Sequence, residues 1–544
     1  MTDKPKHRLI PRRDFLVALA AAPAIVRRQG SYDLVIRGGT VYAGPPMQSV
    51  ETDIAISGDR IAAIGRVAGR GTDEIDARGM AVAPGFVDIH SHGDGSITDD
   101  PRMESLVRQG ITTIVCGQDG SSRGGGQGPG QSNQSGAFAA MLASLEAAGP
   151  AVNVASMIGL GSVRGRVVGN QDRPATPDEL RTMVAMVEAA LAEGACGASS
   201  GLEYTPGAFA SRDELIALCR PLAARGLPYA THMRNEDDRL LDSIDESIAV
   251  ARGAGCPLQI SHLKTQGPRN WSKLDTVFAR IEAAAAQGTQ VTFDRYPYIA
   301  YATGLTNLFP VWSRDGGTQA FLARLTSPET SDRIKAETLA KVDLIGGWDN
   351  VHISSVRAAE DKAAEGKRLG TYAKSINADP YVLTTQMLAR NNGSIGMVGF
   401  AMSEDNLDRI LAHPRGMVAS DGGSFAIEGP TRSGSPHPRG LGTFPRVLGR
   451  YVRERKALSL GDALTRMTTY PATVLRLGDR GRLRVRSAAD VVVFDPATVA
   501  DSATFEQPFQ YPVGIKAVVV NGTIALRDGQ RGTRMTGKIL RQAR

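Results

Sequence analysis

At 544 residues the chain is long enough to bury a large core, with room for one big unit and a smaller satellite. Its 42% hydrophobic and 22% charged residues exclude a disordered or membrane-embedded class. The net charge of +7 does not call for a nucleic-acid partner, because Lys and Arg are scattered and several crowd the first 28 residues.

The N-terminus differs from the rest. Arg12-Arg13-Asp14-Phe15-Leu16 precedes an apolar run, Val17 to Val26, that contains Ala22-Pro23-Ala24. This pattern matches a twin-arginine export signal over residues 1–30, and it predicts a periplasmic protein; without the signal the chain would be cytoplasmic. The run is about half the roughly 20 residues of a spanning helix, so no membrane span is expected. The alternative is an irregular N-terminal helix.

From residue 31 to 83 short segments alternate with Gly turns: Asp33-Leu34-Val35-Ile36, Gly38-Gly39, Asp53-Ile54-Ala55-Ile56, Gly58-Asp59. Period-two alternation of this kind predicts half-buried antiparallel strands. The same texture returns in Asp490 to Phe494 and Lys516 to Gly522, so residues 31–83 and 470–544 are expected to build one small β-sandwich.

Between them, short apolar strands alternate with Ala-rich helical stretches such as Thr182 to Glu193 and Leu215 to Ala224. Eight strand candidates stand out: Phe86 to Ile89, Thr112 to Val115, Val152 to Met157, Gly197 to Ser200, Pro228 to Ala230, Leu258 to Ile260, Val291 to Phe293 and Met417 to Ala419. Eight βα units predict a TIM-like (β/α)₈ barrel over residues 84–469, with its site at the C-terminal ends of the strands. Residues 305–368 break the rhythm and are read as an insertion over that face. The Gly-, Ser- and Gln-rich stretch Ser121 to Gln134 is read as a surface loop rather than a substrate lid. Cys116, Cys196, Cys219 and Cys256 form no CxxC pair, so no disulfide framework is expected.

The chemistry gathers at the strand ends. His90 and His92 follow the first strand two residues apart and point the same way, as two ligands of one ion must. His232 and His262 follow later strands, and Asp421 follows the last. Singly, such a His more often packs or caps; four of only eight His at matching positions, with a carboxylate, argue for a metal site.

Pro84-Gly85-Phe86-Val87-Asp88-Ile89-His90-Ser91-His92, His232-Met233-Arg234, Ser261-His262 and Ser420-Asp421-Gly422 resemble the amidohydrolase superfamily, and specifically its D-aminoacylase (N-acyl-D-amino-acid deacylase) branch. Gly110-Ile111-Thr112-Thr113, Gly201-Leu202-Glu203-Tyr204-Thr205-Pro206-Gly207, Asp294-Arg295-Tyr296-Pro297-Tyr298 and His437-Pro438-Arg439-Gly440 extend the resemblance over essentially everything from residue 31 onward. It implies that His90, His92, His232 and His262 hold one or two Zn²⁺ ions, or another divalent metal. It further implies that Asp421 shuttles the proton of the attacking water, that Tyr204 donates to the oxyanion, and that Lys264, Tyr296 and Arg432 clamp a substrate carboxylate. A divalent ion supplies what such hydrolysis needs, a water with pKa near 7 and a polarised carbonyl.

The chain departs from the family at two places. Where the family carries a metal-binding Cys, ungapped alignment from Gly110-Ile111-Thr112-Thr113 places Asp119, and Cys116 falls on a packing position; a carboxylate is the harder ligand and can bridge two ions. A Ser expected six residues after Tyr296 is Ala302, with Thr303 beside it. The implied reaction is hydrolysis of a linear amide in a small N-acylated substrate that carries a carboxylate. Cyclic amidases and deaminases of the superfamily are the alternative enzymes, and an inactive barrel used as a binding scaffold is the alternative outside catalysis. The cyclic amidases need a bridging Lys, and none lies between Arg70 and Lys264.

Overall fold

A computed structural model of the chain describes residues 32–122 and 136–542. The twin-arginine segment and all but the first two residues of the Ser121 to Gln134 stretch lie outside the described residues. Among those described, no helix is long and apolar enough to cross a membrane.

All eight strand candidates form strands. They are β1 (Phe86–Asp88), β2 (Ile111–Cys116), β3 (Asn153–Ser156, continued by Ile158–Gly159), β4 (Ala198–Gly201), β5 (Tyr229–His232), β6 (Leu258–Ile260), β7 (Val291–Arg295) and β8 (Gly416–Val418). Every neighbouring pair is parallel. Strand β3 passes the ladder from β2 to β4 at Met157, whose N–H donates to Cys116 O while that of Ile158 donates to Gly197 O. The ring closes between the ends of β1 and β8: Asp421 N donates to His90 O at 2.8 Å and His92 N to Gly422 O at 2.9 Å. The strands are buried on both faces, which is why they read as continuous apolar runs rather than alternating ones.

The helices between strands start on side-chain caps. Thr176 accepts from Glu179 N, and Glu179 Oε2 accepts from Thr176 N at 2.8 Å, a reciprocal box at the start of Pro177–Ala192. That helix turns Met183, Val187, Ala190 and Leu191 inward, the three-to-four spacing of one face.

Both chain ends build one nine-stranded sheet. The N-terminal part supplies Tyr32–Tyr42, Ser49–Ser57, Arg60–Gly65, Gly71–Asp76 and Ala81–Pro84, and the C-terminal part supplies Val491–Phe494, Ile515–Val520, Thr523–Arg527 and Gln530–Arg531. The halves meet where Ala81–Pro84 pairs antiparallel with Val491–Phe494. The sheet feeds directly into the barrel through Gly85, where a Cβ would lie 2.2 Å from the Thr112 hydroxyl oxygen.

The stretch that breaks the rhythm folds around its own core between β7 and the helix Glu404–Ala412. A three-stranded antiparallel sheet orders Ala300–Gly304, Gly396–Phe400 and Val351–Ser355, with Gly396–Phe400 in the centre. The unit therefore extends past residue 368 to about Met402, because its central strand comes last in sequence and closes a core that includes Leu305, Ile353, Leu388 and Met397.

Candidate metal centre and substrate pocket

Each strand end delivers its side chain through a local constraint. Beyond β2, Gly117 turns at φ 71°, where a Cβ would sit 2.1 Å from Met157 O, and Gln118 Nε2 donates to Ile89 O at 2.9 Å. This tight turn carries Asp119 over the barrel axis. Asp119, His262 and Asp421 hold φ of 52°, 36° and 49°, a left-handed conformation that non-glycine residues seldom adopt and that concentrates at functional sites.

The convergence matches the sequence reading. His90 Nε2 lies 3.4 Å from Asp119 Oδ1 and 3.5 Å from Asp421 Oδ1. His92 Nε2 lies 3.4 Å from Asp119 Oδ2 and 3.1 Å from Asp421 Oδ1. On the other side, His262 Nε2 is 3.6 Å from Asp119 Oδ1 and 2.9 Å from His232 Nδ1. Donors about 2.1 Å from a tetrahedral ion are spaced by roughly 3.4 Å, so the spacing fits a divalent metal. His90 Nε2 and Asp119 Oδ1 are buried without a hydrogen-bond partner, as donors reserved for an ion are. Asp119 belongs both to the group with His90, His92 and Asp421 and to the group with His232 and His262, the place of a bridge between two ions.

The electrostatics agree. Burial opposes charge on His90, but Asp119, Asp294 and Asp421 outweigh it and hold its pKa well above the ordinary value. Burial likewise opposes charge on Asp421, yet Arg439 and His90 keep its carboxyl well below the usual range. The cluster demands positive charge at its centre. Cys116, by contrast, packs in the apolar core outside these donor groups, and burial pushes its thiol well up.

A cavity of about 450 Å³ opens onto this cluster. Tyr204 stands on its wall, its ring 4.7 Å from that of His232, and its hydroxyl accepts from Thr303 Oγ1 at 3.1 Å. Thr303 thus reaches the pocket next to Ala302, which also lines it. Tyr296 presents a buried, unpartnered hydroxyl to the same cavity. Lys264 is 2% exposed and donates to both oxygens of Glu236 at 2.6 Å.

Arg432 does not join them. It is exposed, with its guanidinium 4.9 Å above the Phe509 ring, because residues 423–436 loop across the surface before the chain turns back. The guanidinium on the cavity wall is that of Arg439, at the start of helix Arg439–Arg446; its Nη1 lies 2.8 Å from Asp421 Oδ2 and its Cζ 4.8 Å from the Tyr296 ring centre. The resemblance assigns the clamp to Arg432, and Arg439 stands in the sequence reading only as part of the His437-Pro438-Arg439 segment.

Three carboxylates also escaped the sequence reading. Glu236 Oε1 lies 3.1 Å from His262 Nδ1 and Asp294 Oδ1 lies 3.4 Å from His90 Nδ1, so each sets the ring whose other nitrogen faces the centre. Glu203 Oε2 lies 3.4 Å from His232 Nε2 and accepts from Asn307 Nδ2. Asp294 and Glu203 stand inside the motifs that carry the resemblance, but a carboxylate's direction is not written in its spacing.

Residues 73–304 and 431–526 match the model of the amidohydrolase family. The chain is 36% identical to an N-acyl-D-glutamate deacylase of Alcaligenes xylosoxydans xylosoxydans, over 94% of this chain and 97% of that one. It is 34% identical to a D-aminoacylase from the same source, again over 94% of this chain and 97% of that one. Among solved structures, the N-acyl-D-glutamate deacylase from Bordetella bronchiseptica, complexed with zinc and a phosphonate inhibitor, superposes with a TM-score of 0.79 at 34% identity, covering 94% of this chain and 100% of that one. The chain belongs to the amidohydrolase family, in its D-aminoacylase branch.

Proposed function

We propose that this chain is a metal-dependent deacylase that hydrolyses N-acyl-D-amino acids to a carboxylate and a free D-amino acid. The observation that carries the reading is the pairing, in one cavity, of an ion-sized donor cluster with a cationic clamp of Arg439 and Lys264.

His90, His92, Asp119, His232 and His262 would hold one or two Zn²⁺ ions; their nitrogen and carboxylate donors, with no sulfur, also suit Co²⁺ and Mn²⁺. When bound, the metal supplies an acidified water and a polarised amide carbonyl. Asp421 would take the proton of the attacking water and return it to the nitrogen as the C–N bond breaks. The Tyr204 hydroxyl, whose proton burial retains, donates to the oxygen as it gains negative charge. The substrate α-carboxylate lies against Arg439, Lys264 and the free Tyr296 hydroxyl, which sets the amide over the cluster.

The cyclic-amidase alternative lacks its Lys, and Asp119 occupies the position between the two His pairs. The scaffold alternative does not account for a complete donor set. The twin-arginine pattern at Arg12-Arg13 supports export to the periplasm; fractionation of cells expressing the full chain tests it, and an Arg12→Lys, Arg13→Lys pair should hold the protein in the cytoplasm.

The function is tested with a panel of N-acetyl amino acids in both enantiomers, with Zn²⁺, Co²⁺ and Mn²⁺ supplied in turn. Turnover of D-substrates with at least one metal is expected. No hydrolysis of any member would overturn the reading.

A further inference from the structure

Behind Tyr204 lies a second cavity, of about 260 Å³, which shares Tyr204 and Thr205 with the main pocket. Most of its remaining lining comes from the insertion: Thr306, Arg314, Thr318 and Phe321, joined by Asn170. Among the described residues, no carboxylate lines it.

Arg314 is 8% exposed. Its Nη2 donates to Glu203 O at 3.0 Å, and its buried Nε has no partner. Among the described residues it makes no ion pair. Asp315 Oδ1 accepts from Asp172 N at 2.8 Å, and the Glu203 carboxylate, whose charge favours the guanidinium from a distance, accepts from Asn307 at 3.1 Å rather than pairing with Arg314. Two other buried arginines have carboxylate partners, Arg164 with Glu214 and Arg480 with Asp490, and a third, Arg295, has none among the described residues but lies against the Tyr296 ring at 4.1 Å. A buried guanidinium on a cavity wall without an ion pair is a costly arrangement that a bound anion offsets. Burial already pulls its pKa below the ordinary value, a strain that an incoming anion relieves.

We infer that this cavity is a subsite for a second carboxylate of the substrate, with Arg314 as its recognition residue. The inference rests on the deacylase reading and narrows it to substrates with a negative charge remote from the scissile amide. The planar fork of Arg314 suits a carboxylate, and the hydroxyls of Thr306 and Thr318 with the amide of Asn170 supply further donors. The carboxylate belongs either to the amino-acid side chain or to the acyl chain.

Two isosteric substrate pairs separate these sources on the metal-loaded enzyme. N-acetyl-D-glutamate against N-acetyl-D-glutamine probes the side chain; N-succinyl-D-alanine against its monoamide probes the acyl chain. The acidic member of one pair is expected to show roughly 100-fold higher kcat/KM, and Arg314→Met should collapse that ratio while Arg314→Lys restores part of it. Equal kcat/KM within both pairs for the wild-type enzyme would overturn the inference without any variant, and leave the deacylase reading standing. A preference that survives Arg314→Met would overturn it as well. Failure to hydrolyse any N-acyl-D-amino acid would instead remove the reading on which it rests.

Discussion

The two ends of the barrel both bury polar groups, and they treat them in opposite ways. At the base, where the terminal sheet docks, Asn153, Asp490, Asn521 and Arg480 form a closed network. Asn153 Nδ2 donates to Asp490 Oδ2 at 3.1 Å and to Thr112 O at 2.8 Å; Asn521 Nδ2 donates to Asn153 Oδ1 and Thr536 O; Arg480 pairs with Asp490 and reaches Asn521 Oδ1. No side-chain donor or acceptor of these four is left buried and unpartnered. At the mouth, His90, Asp119 and Tyr296 each keep an unpartnered buried atom. A satisfied network stabilises a junction, whereas an unsatisfied one is polarity held ready for something the protein binds.

The sharpest break of this contrast would come at Asp421. Asp421→Asn should lower kcat by roughly 10³-fold with bound metal and melting temperature retained, read by steady-state kinetics and elemental analysis. Near wild-type turnover would remove its role as proton shuttle. Next in size is the bridge: Asp119→Ala should lose at least one metal equivalent along with activity, while Cys116→Ala should keep its metal and cost only packing. The reverse pattern would return the ligand role to the thiol.

At the base the expected loss is in stability instead. Asp490→Ala strands the buried Arg480 charge and should cost about 3–5 kcal/mol in urea unfolding, leaving kcat of the folded enzyme unchanged. A large fall in kcat would mean that the two ends are coupled. The smallest effect lies in the insertion, where burial, with Arg368 nearby, depresses the His352 pKa from 6.5 to about 4. The unfolded chain takes that proton first, so stability should fall as pH drops from 6.5 towards 4, by about 1 kcal/mol after allowance for solvent screening. His352→Gln should flatten that slope in denaturant titrations at successive pH values.

Much of this was legible in the residues alone. The eight barrel strands could be read because a parallel sheet covered on both faces leaves short, continuous apolar runs between helical stretches. His90, His92, His232, His262 and Asp421 could be read because residues just beyond such strands share one end of the barrel, and Asp119 followed from counting residues after Gly110-Ile111-Thr112-Thr113. Period and offset carry that information, since both are properties of local backbone geometry. Only the tertiary structure put Arg439 rather than Arg432 on the cavity wall, brought Glu236 and Asp294 against the His rings, and set Arg314, with no ion pair among the described residues, behind Tyr204. Those outcomes depend on where a loop returns and on what stands opposite a side chain, which is fixed by long-range packing rather than by spacing along the chain.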